Sequence, residues 1–199
     1  LTGFRVDVAA LREACGSALL VVDAIQGLGA VETALTPADV LVAGGQKWLR
    51  AGWGSGVMAV TERAREFLAP TLTGWWGVED FLDFAPPAPH PPRRSADRFQ
   101  VGSPAVYGAL QLGAGVEVIE LAGIGVIEAV IRERVTALEE EARRAGAEVL
   151  SPWRDPAERA GILCFRLPGE DAATTAGRLA EAGLVVSRRS GWVRVAPHA

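Results

Sequence analysis

Two apolar runs constrain this chain more than any other feature. Leu19-Leu20-Val21-Val22-Asp23 and Asp39-Val40-Leu41-Val42-Ala43 are short, continuous and bounded by turn signals. Runs of that kind, without alternation, read as strands buried on both faces of a parallel sheet. The stretch between them, Ile25 to Ala38, is long enough for the crossover that parallel neighbours need, although it has no clear helical period. In open α/β sheets, ligands gather at the carboxyl ends of strands. Asp23 ends the first run, and the second leads into Gly44-Gly45-Gln46-Lys47-Trp48. An acid and a lysine are therefore expected at one sheet edge, one strand apart.

Lys47 is also the only lysine, against nineteen arginines among the twenty strongly basic residues. A desolvated amine can lose its proton near neutral pH and condense with a carbonyl, which a guanidinium cannot do. Taken singly, Asp23 is an ordinary turn former and Lys47 an ordinary loop residue. Together they suit a cofactor with a ring nitrogen to protonate and an aldehyde to hold, as in pyridoxal phosphate. Gln26 can hydrogen-bond the ring hydroxyl from the same turn.

Val22-Asp23-Ala24-Ile25-Gln26, then Ala38-Asp39-Val40, Gly44-Gly45-Gln46-Lys47-Trp48-Leu49 and Gly52-Trp53-Gly54-Ser55-Gly56 resemble the class V aminotransferase family. The resemblance implies a pyridoxal-phosphate enzyme of fold type I. In it Lys47 forms the Schiff base, Asp23 pairs with the pyridine nitrogen and Gln26 meets the ring oxygen. It extends to Arg98-Phe99-Gln100-Val101-Gly102-Ser103-Pro104, where a hydroxyl at the position of Ser103 reaches the cofactor phosphate of a neighbouring subunit. Trp192-Val193-Arg194-Val195 resembles the strand whose arginine binds the substrate α-carboxylate, a role that suits a planar fork. Two positions depart from the family pattern. Gln46 stands where many relatives have His, and Gly44 where some have a phosphate-binding serine.

The implied architecture is α/β: the second half of a fold type I large domain, with a mostly parallel sheet and flanking helices, plus an α/β small C-terminal domain. Residues 1–104 are expected to be the carboxyl-terminal half of the cofactor-binding large domain. Residues 105–199 are expected to be linking helices and the small domain, truncated near its end. The chain starts at Leu1 without methionine and stops at Ala199, so a fragment is expected, one inactive without the amino-terminal half of the site. A non-catalytic fragment that keeps the fold is the alternative.

Cysteines narrow the chemistry. Only Cys15 and Cys164 are present, the usage of a disulfide-free cytoplasmic protein. Desulfurases of this family attack substrate sulfur with a loop cysteine ahead of the carboxylate-binding arginine. Here Val186 to Gly191 holds none, and Cys164 lies in the strand-like Gly161 to Leu167 as a small core residue. A carbon-sulfur lyase using no protein thiol is therefore favoured over a desulfurase. A transaminase or epimerase would use the same Asp23, Gln26 and Lys47. Gly44 to Gly54, with Gly74-Trp75-Trp76-Gly77-Val78-Glu79-Asp80, resembles the lyases that cleave hercynylcysteine sulfoxide in ergothioneine biosynthesis. Trp48, Trp53, Trp75 and Trp76 then read either as an entrance for a flat or cationic substrate, or as packing: the first two in the core, the last two at a dimer interface.

A net charge of −4 and a 49% apolar composition give no nucleic-acid footprint. No apolar run approaches the roughly eighteen residues of a membrane span. His90 and His198 are too far apart in sequence to suggest a metal site. The implied partners are an amino-acid substrate and a second subunit, in a homodimer with a shared site. Helices are expected at Val6 to Ala14, Glu62 to Leu68, Ala105 to Leu121 and Ala172 to Ala182. Another should place Ile124, Ile127, Ile131, Val135 and Leu138 on one face. Further strands are expected at Ser55 to Val60, Glu148 to Leu150, Leu184 to Val186 and Trp192 to Ala196, with Pro70 to Phe99 rich in loops.

Overall fold

The structure, a computed structural model, describes residues 2–33, 37–84, 90–151 and 155–198. The chain forms two compact units. One comprises Val8–Leu28 and Thr33–Val118; the other comprises Leu1–Asp7, Gly29–Glu32 and Ile119–Ala199.

The first unit is built on helix α1 (Val8–Ala14) and strands β1 (Val21–Asp23), β2 (Val40–Gly44) and β3 (Gly56–Val60), followed by α2 (Glu62–Phe67) and the part of α3 (Val106–Ala122) up to Val118. The strand order is β1-β2-β3. β1 and β2 run parallel with Asp23 opposite Val42, and β3 returns antiparallel with Gly56 opposite Gly44. The two apolar runs are thus parallel neighbours. Their connection, residues 25–38, is made of turns, with no helix among its described residues.

Burial differs from the expectation for β1. Leu41 and Ala43 in central β2 are buried, whereas Val21 of β1 is 59% exposed. By the sheet's period of two and its register, Val21 and Asp23 share a face with Val42, Gly44, Gly56 and Met58. That face stays partly open and forms one wall of a cleft described below.

Asp39 ties the strand starts to both short helices. Its carboxylate is paired with Arg12 of α1 and Arg63 of α2 and accepts the Leu20 N–H at 2.8 Å. The Leu20 amide and Arg63 hold this carboxyl below its ordinary value of 3.8. A group lowered on folding stabilises above its unfolded value and loses that contribution as pH falls through the folded one. Thermal melts should therefore fall more steeply below about pH 4 in the wild type than in Asp39→Asn. Parallel curves for the two proteins would refute this.

The second unit packs helix α4 (Ile124–Arg144) and α5 (Ala172–Glu181) on an antiparallel sheet of β4 (Glu148–Val149), β5 (Leu163–Arg166), β6 (Ser187–Arg189) and β7 (Trp192–Val195), in the order β4-β5-β7-β6. Ile131, Leu163 and Val193 are its most deeply buried large side chains. The buried face of α4 runs Ile127, Ile131, Val135, Glu139. Leu138, expected there, is exposed instead. The run continues in steps of four, and Glu139 is tolerated inside because Arg143 and Arg159 each contact its carboxylate at 2.9 Å.

One strand is shifted. Residues 184–186 are not a strand; β6 begins at Ser187. Gly183, at φ +81°, ends α5, and Leu184 N–H bonds back to Leu179 O at 2.8 Å. Ser190 and Gly191 then both take positive φ, the two-residue turn that matches strand twist, and so fix Arg189 opposite Trp192.

Candidate active site

Asp23 ends β1 at the exposed rim of the sheet. One carboxylate oxygen accepts the Ile25 N–H at 3.0 Å, which starts the turn that carries half-buried Gln26. The other oxygen has no partner among the described residues. Asp23 lines a cleft of about 660 Å³ with Val42, Gly44, Gly56, Met58 and, from the segment opposite, Asp97 and Phe99. Sequence reasoning missed these last two walls. Their signal lay in the quoted segment around Arg98, but nothing in its pattern says which side chains face the sheet.

Beyond Gly44 the chain makes a turn closed on itself. Gly45 N–H donates to Ser55 O at 2.8 Å, Ala51 N–H to Gly45 O at 2.8 Å, and Arg50 N–H to Lys47 O at 3.1 Å. Ser55 Oγ donates to Gly52 O at 2.9 Å. Trp48 and Leu49 are buried and anchor the turn, and Lys47, just before them, is exposed. Lys47 makes no ion pair among the described residues.

Gly44 and Gln46 form one steric unit. A side chain at Gly44 would overlap the Gln46 carboxamide, which lies over the glycine. Serine at 44 would require this carboxamide, the far end of a flexible side chain, to swing aside. Gln46 otherwise makes no hydrogen bond among the described residues.

Asp23, Gln26, Gln46, Lys47 and Ser103 all belong to the first unit, with Ser103 exposed in the extended segment before α3. Arg194 belongs to the second, on β7, where its Nη1 lies 3.4 Å from Ser187 Oγ. It pairs with no carboxylate among the described residues, and its Nε is buried without a hydrogen-bond partner. Directly across the ladder, on β5, stands Cys164, 2% exposed. Burial pushes its thiol up, against the opposing pull of Arg194.

The tryptophans divide. Trp48 packs in the core, but Trp53 is 86% exposed, contrary to the packing expectation. Trp53 sits at the tip of the turn beside Gly54, which has positive φ and nothing near it to pack on. Trp75, Trp76 and Phe81 cluster in edge-on and tilted contacts with centroids 4.7–5.5 Å apart. Arg93 lies 5.7 Å from the Trp76 ring and 4.7 Å from that of Phe81, so a cation already occupies this aromatic cluster.

An uncommitted carboxylate oxygen at one strand end and an unpaired amine just past the next fit a cofactor with a basic ring nitrogen and an aldehyde. Comparison with known proteins points the same way. The model of the family described as aminotransferase class-V matches residues 1–195. The "Probable cysteine desulfurase" of Pyrococcus abyssi is 32% identical over 157 residues, 76% of this chain and 37% of that protein. A kynureninase of Koribacter versatilis is 28% identical over 98% of this chain and 48% of its own length. The apo cysteine desulfurase of Thermococcus onnurineus superposes with a TM-score of 0.87 at 26% identity, covering 98% of this chain and 52% of that one. The chain thus spans about half the length of such relatives or less, and it belongs to the class-V aminotransferase family, whose cofactor is pyridoxal phosphate.

Proposed function

We propose that the intact protein is a pyridoxal-phosphate-dependent carbon-sulfur lyase that eliminates sulfur from a cysteine conjugate or its sulfoxide. The observation that carries this reading is the state of the thiols. Cys164 is buried in a strand with its thiol pushed up, and residues 167–193 contain no cysteine. A thiolate, not a thiol, attacks sulfur. Elimination needs only a base, a carboxylate clamp and an electron sink.

The proposed roles follow from chemistry and placement. Asp23 holds a proton on the ring nitrogen with its uncommitted oxygen, while Gln26 and Gln46 offer amide groups to the cofactor. Ser103 offers a hydroxyl to the phosphate of a partner in a homodimer. The fork of Arg194, free of internal carboxylates, takes the substrate carboxylate. The cofactor supplies an electron sink for the α-carbon. Lys47 would be the base that takes the α-proton. The carbon-sulfur bond then breaks with its electron pair leaving on sulfur, and the enamine released hydrolyses to pyruvate and ammonia.

The test is incubation of the intact protein and cofactor with cysteine S-conjugates and their sulfoxides. Stoichiometric pyruvate and sulfur product are expected. Exchange of an amino acid with a keto acid, or racemisation without pyruvate, would replace this reading with a transaminase or an epimerase.

A further inference from the structure

Helix α3 contains three glycines, Gly108, Gly113 and Gly115. Glycine is a poor helix residue because it loses the most backbone freedom on ordering, so each one calls for a reason. Gly113 has nothing within 4 Å of where a Cβ would stand. The other two differ. A Cβ on Gly115 would overlap the carbonyl oxygen of Leu49, and one on Gly108 would press on Ser55 Cβ at 3.2 Å. Leu49 and Ser55 both belong to the turn that carries Lys47. Gly108 and Gly115 are seven residues apart and therefore share a helix face. Between them Gln111 lies over Gly52, a third point of the same turn, where a Cβ would overlap its amide oxygen.

We infer that Gly108 and Gly115 are positioning residues: they form a flat seat on α3 that fixes where the Lys47 turn stands. The inference rests on Lys47 holding the cofactor. The turn's own hydrogen bonds set its shape but not its distance from α3. That distance is set by a backbone oxygen packed against a helix, a contact only glycine permits. At Gly115 a methyl group must displace the Leu49 carbonyl, and with it a backbone position two residues from Lys47. At Gly113 the same methyl group displaces nothing.

The experiment compares Gly115→Ala, Gly108→Ala and Gly113→Ala in the intact protein. One readout is the rate at which pyridoxal phosphate becomes linked to Lys47, followed by absorbance and fixed by borohydride. The second is acylation of Lys47 by a water-soluble ester, mapped by mass spectrometry, which reports an accessible amine without needing the cofactor. Gly115→Ala is expected to keep its helical circular dichroism and its acylation while linkage slows by about 10²-fold, the scale of a misplacement near one ångström. Gly108→Ala should show a smaller loss and Gly113→Ala none. Wild-type linkage in a folded Gly115→Ala overturns the seat, as does an equal loss in Gly113→Ala. If Gly115→Ala does not fold, Gly108→Ala decides, and wild-type linkage there overturns it. Wild-type protein that never links the cofactor overturns the reading of Lys47 itself, and this role of the seat with it.

Discussion

Lys47→Arg is expected to leave the protein folded but unable to hold its cofactor covalently, with turnover reduced by at least about 10³-fold, the scale on which a general acid-base group contributes. Arginine keeps the charge and most of the length of lysine at an exposed position, so the buried anchors Trp48 and Leu49 are undisturbed. Its guanidinium neither condenses with an aldehyde nor gives up a proton near neutral pH. Because these 199 residues hold no other lysine, the variant leaves no side-chain amine within them. The expected result is loss of the absorbance band given by the wild type with pyridoxal phosphate, and no borohydride-fixed adduct on the peptide containing residue 47. A persistent band, or pyruvate at the wild-type rate, would show that Lys47 is not the cofactor lysine.

Much of the framework around the candidate site is legible in the sequence, because the features concerned are local. Continuous apolar runs mark β1 and β2 whatever surrounds them, and the Gly-Gly and Gly-Trp-Gly signals bracket the turn that bears Lys47. The helical span Ala105 to Leu121 is realised within one residue at each end, as Val106–Ala122. What escaped was decided at long range. Leu138 and Glu139 are both compatible with the helix period, and Arg159, twenty residues on, joins Arg143 in holding Glu139 inside. The start of β6 depended on the Ser190-Gly191 turn, since register follows turn geometry rather than the hydrophobicity of Leu184 to Val186.

The contact of Gln46 with Gly44 belongs to a second kind of hidden information. The sequence shows glycine at 44 and glutamine at 46 as departures from the family pattern but not that the two residues touch, because it records types and not occupied space. The same holds for Gly115, whose purpose is visible only once Leu49 is placed against it. The one disagreement among the aromatics has a similar origin. Trp48 and Trp53 both follow glycine-rich steps, and nothing local separates Trp48, which is buried, from Trp53, which is 86% exposed.

Asp23→Asn separates electrostatics from structure at the other strand end. The Ile25 N–H donates to one oxygen of Asp23 at 3.0 Å, and an asparagine carbonyl accepts that bond equally well, so the turn that carries Gln26 should survive. Stability is expected within about 0.5 kcal/mol of the wild type, as for other exposed positions. What is lost is the negative charge that would keep a pyridine nitrogen protonated. A neutral ring is a poorer electron sink, so removal of the α-proton should slow by about 10²- to 10³-fold, the scale of losing one preorganised electrostatic partner. Solvent exchange of the substrate α-proton, followed by NMR in deuterated water, measures that step apart from departure of the sulfur. Covalent linkage to Lys47 should persist, since the amine and the aldehyde are unchanged. Exchange at the wild-type rate in Asp23→Asn would mean that this carboxylate only shapes the turn, and the partner of the ring nitrogen would have to be sought elsewhere, with Asp97 across the cleft as the next residue to replace.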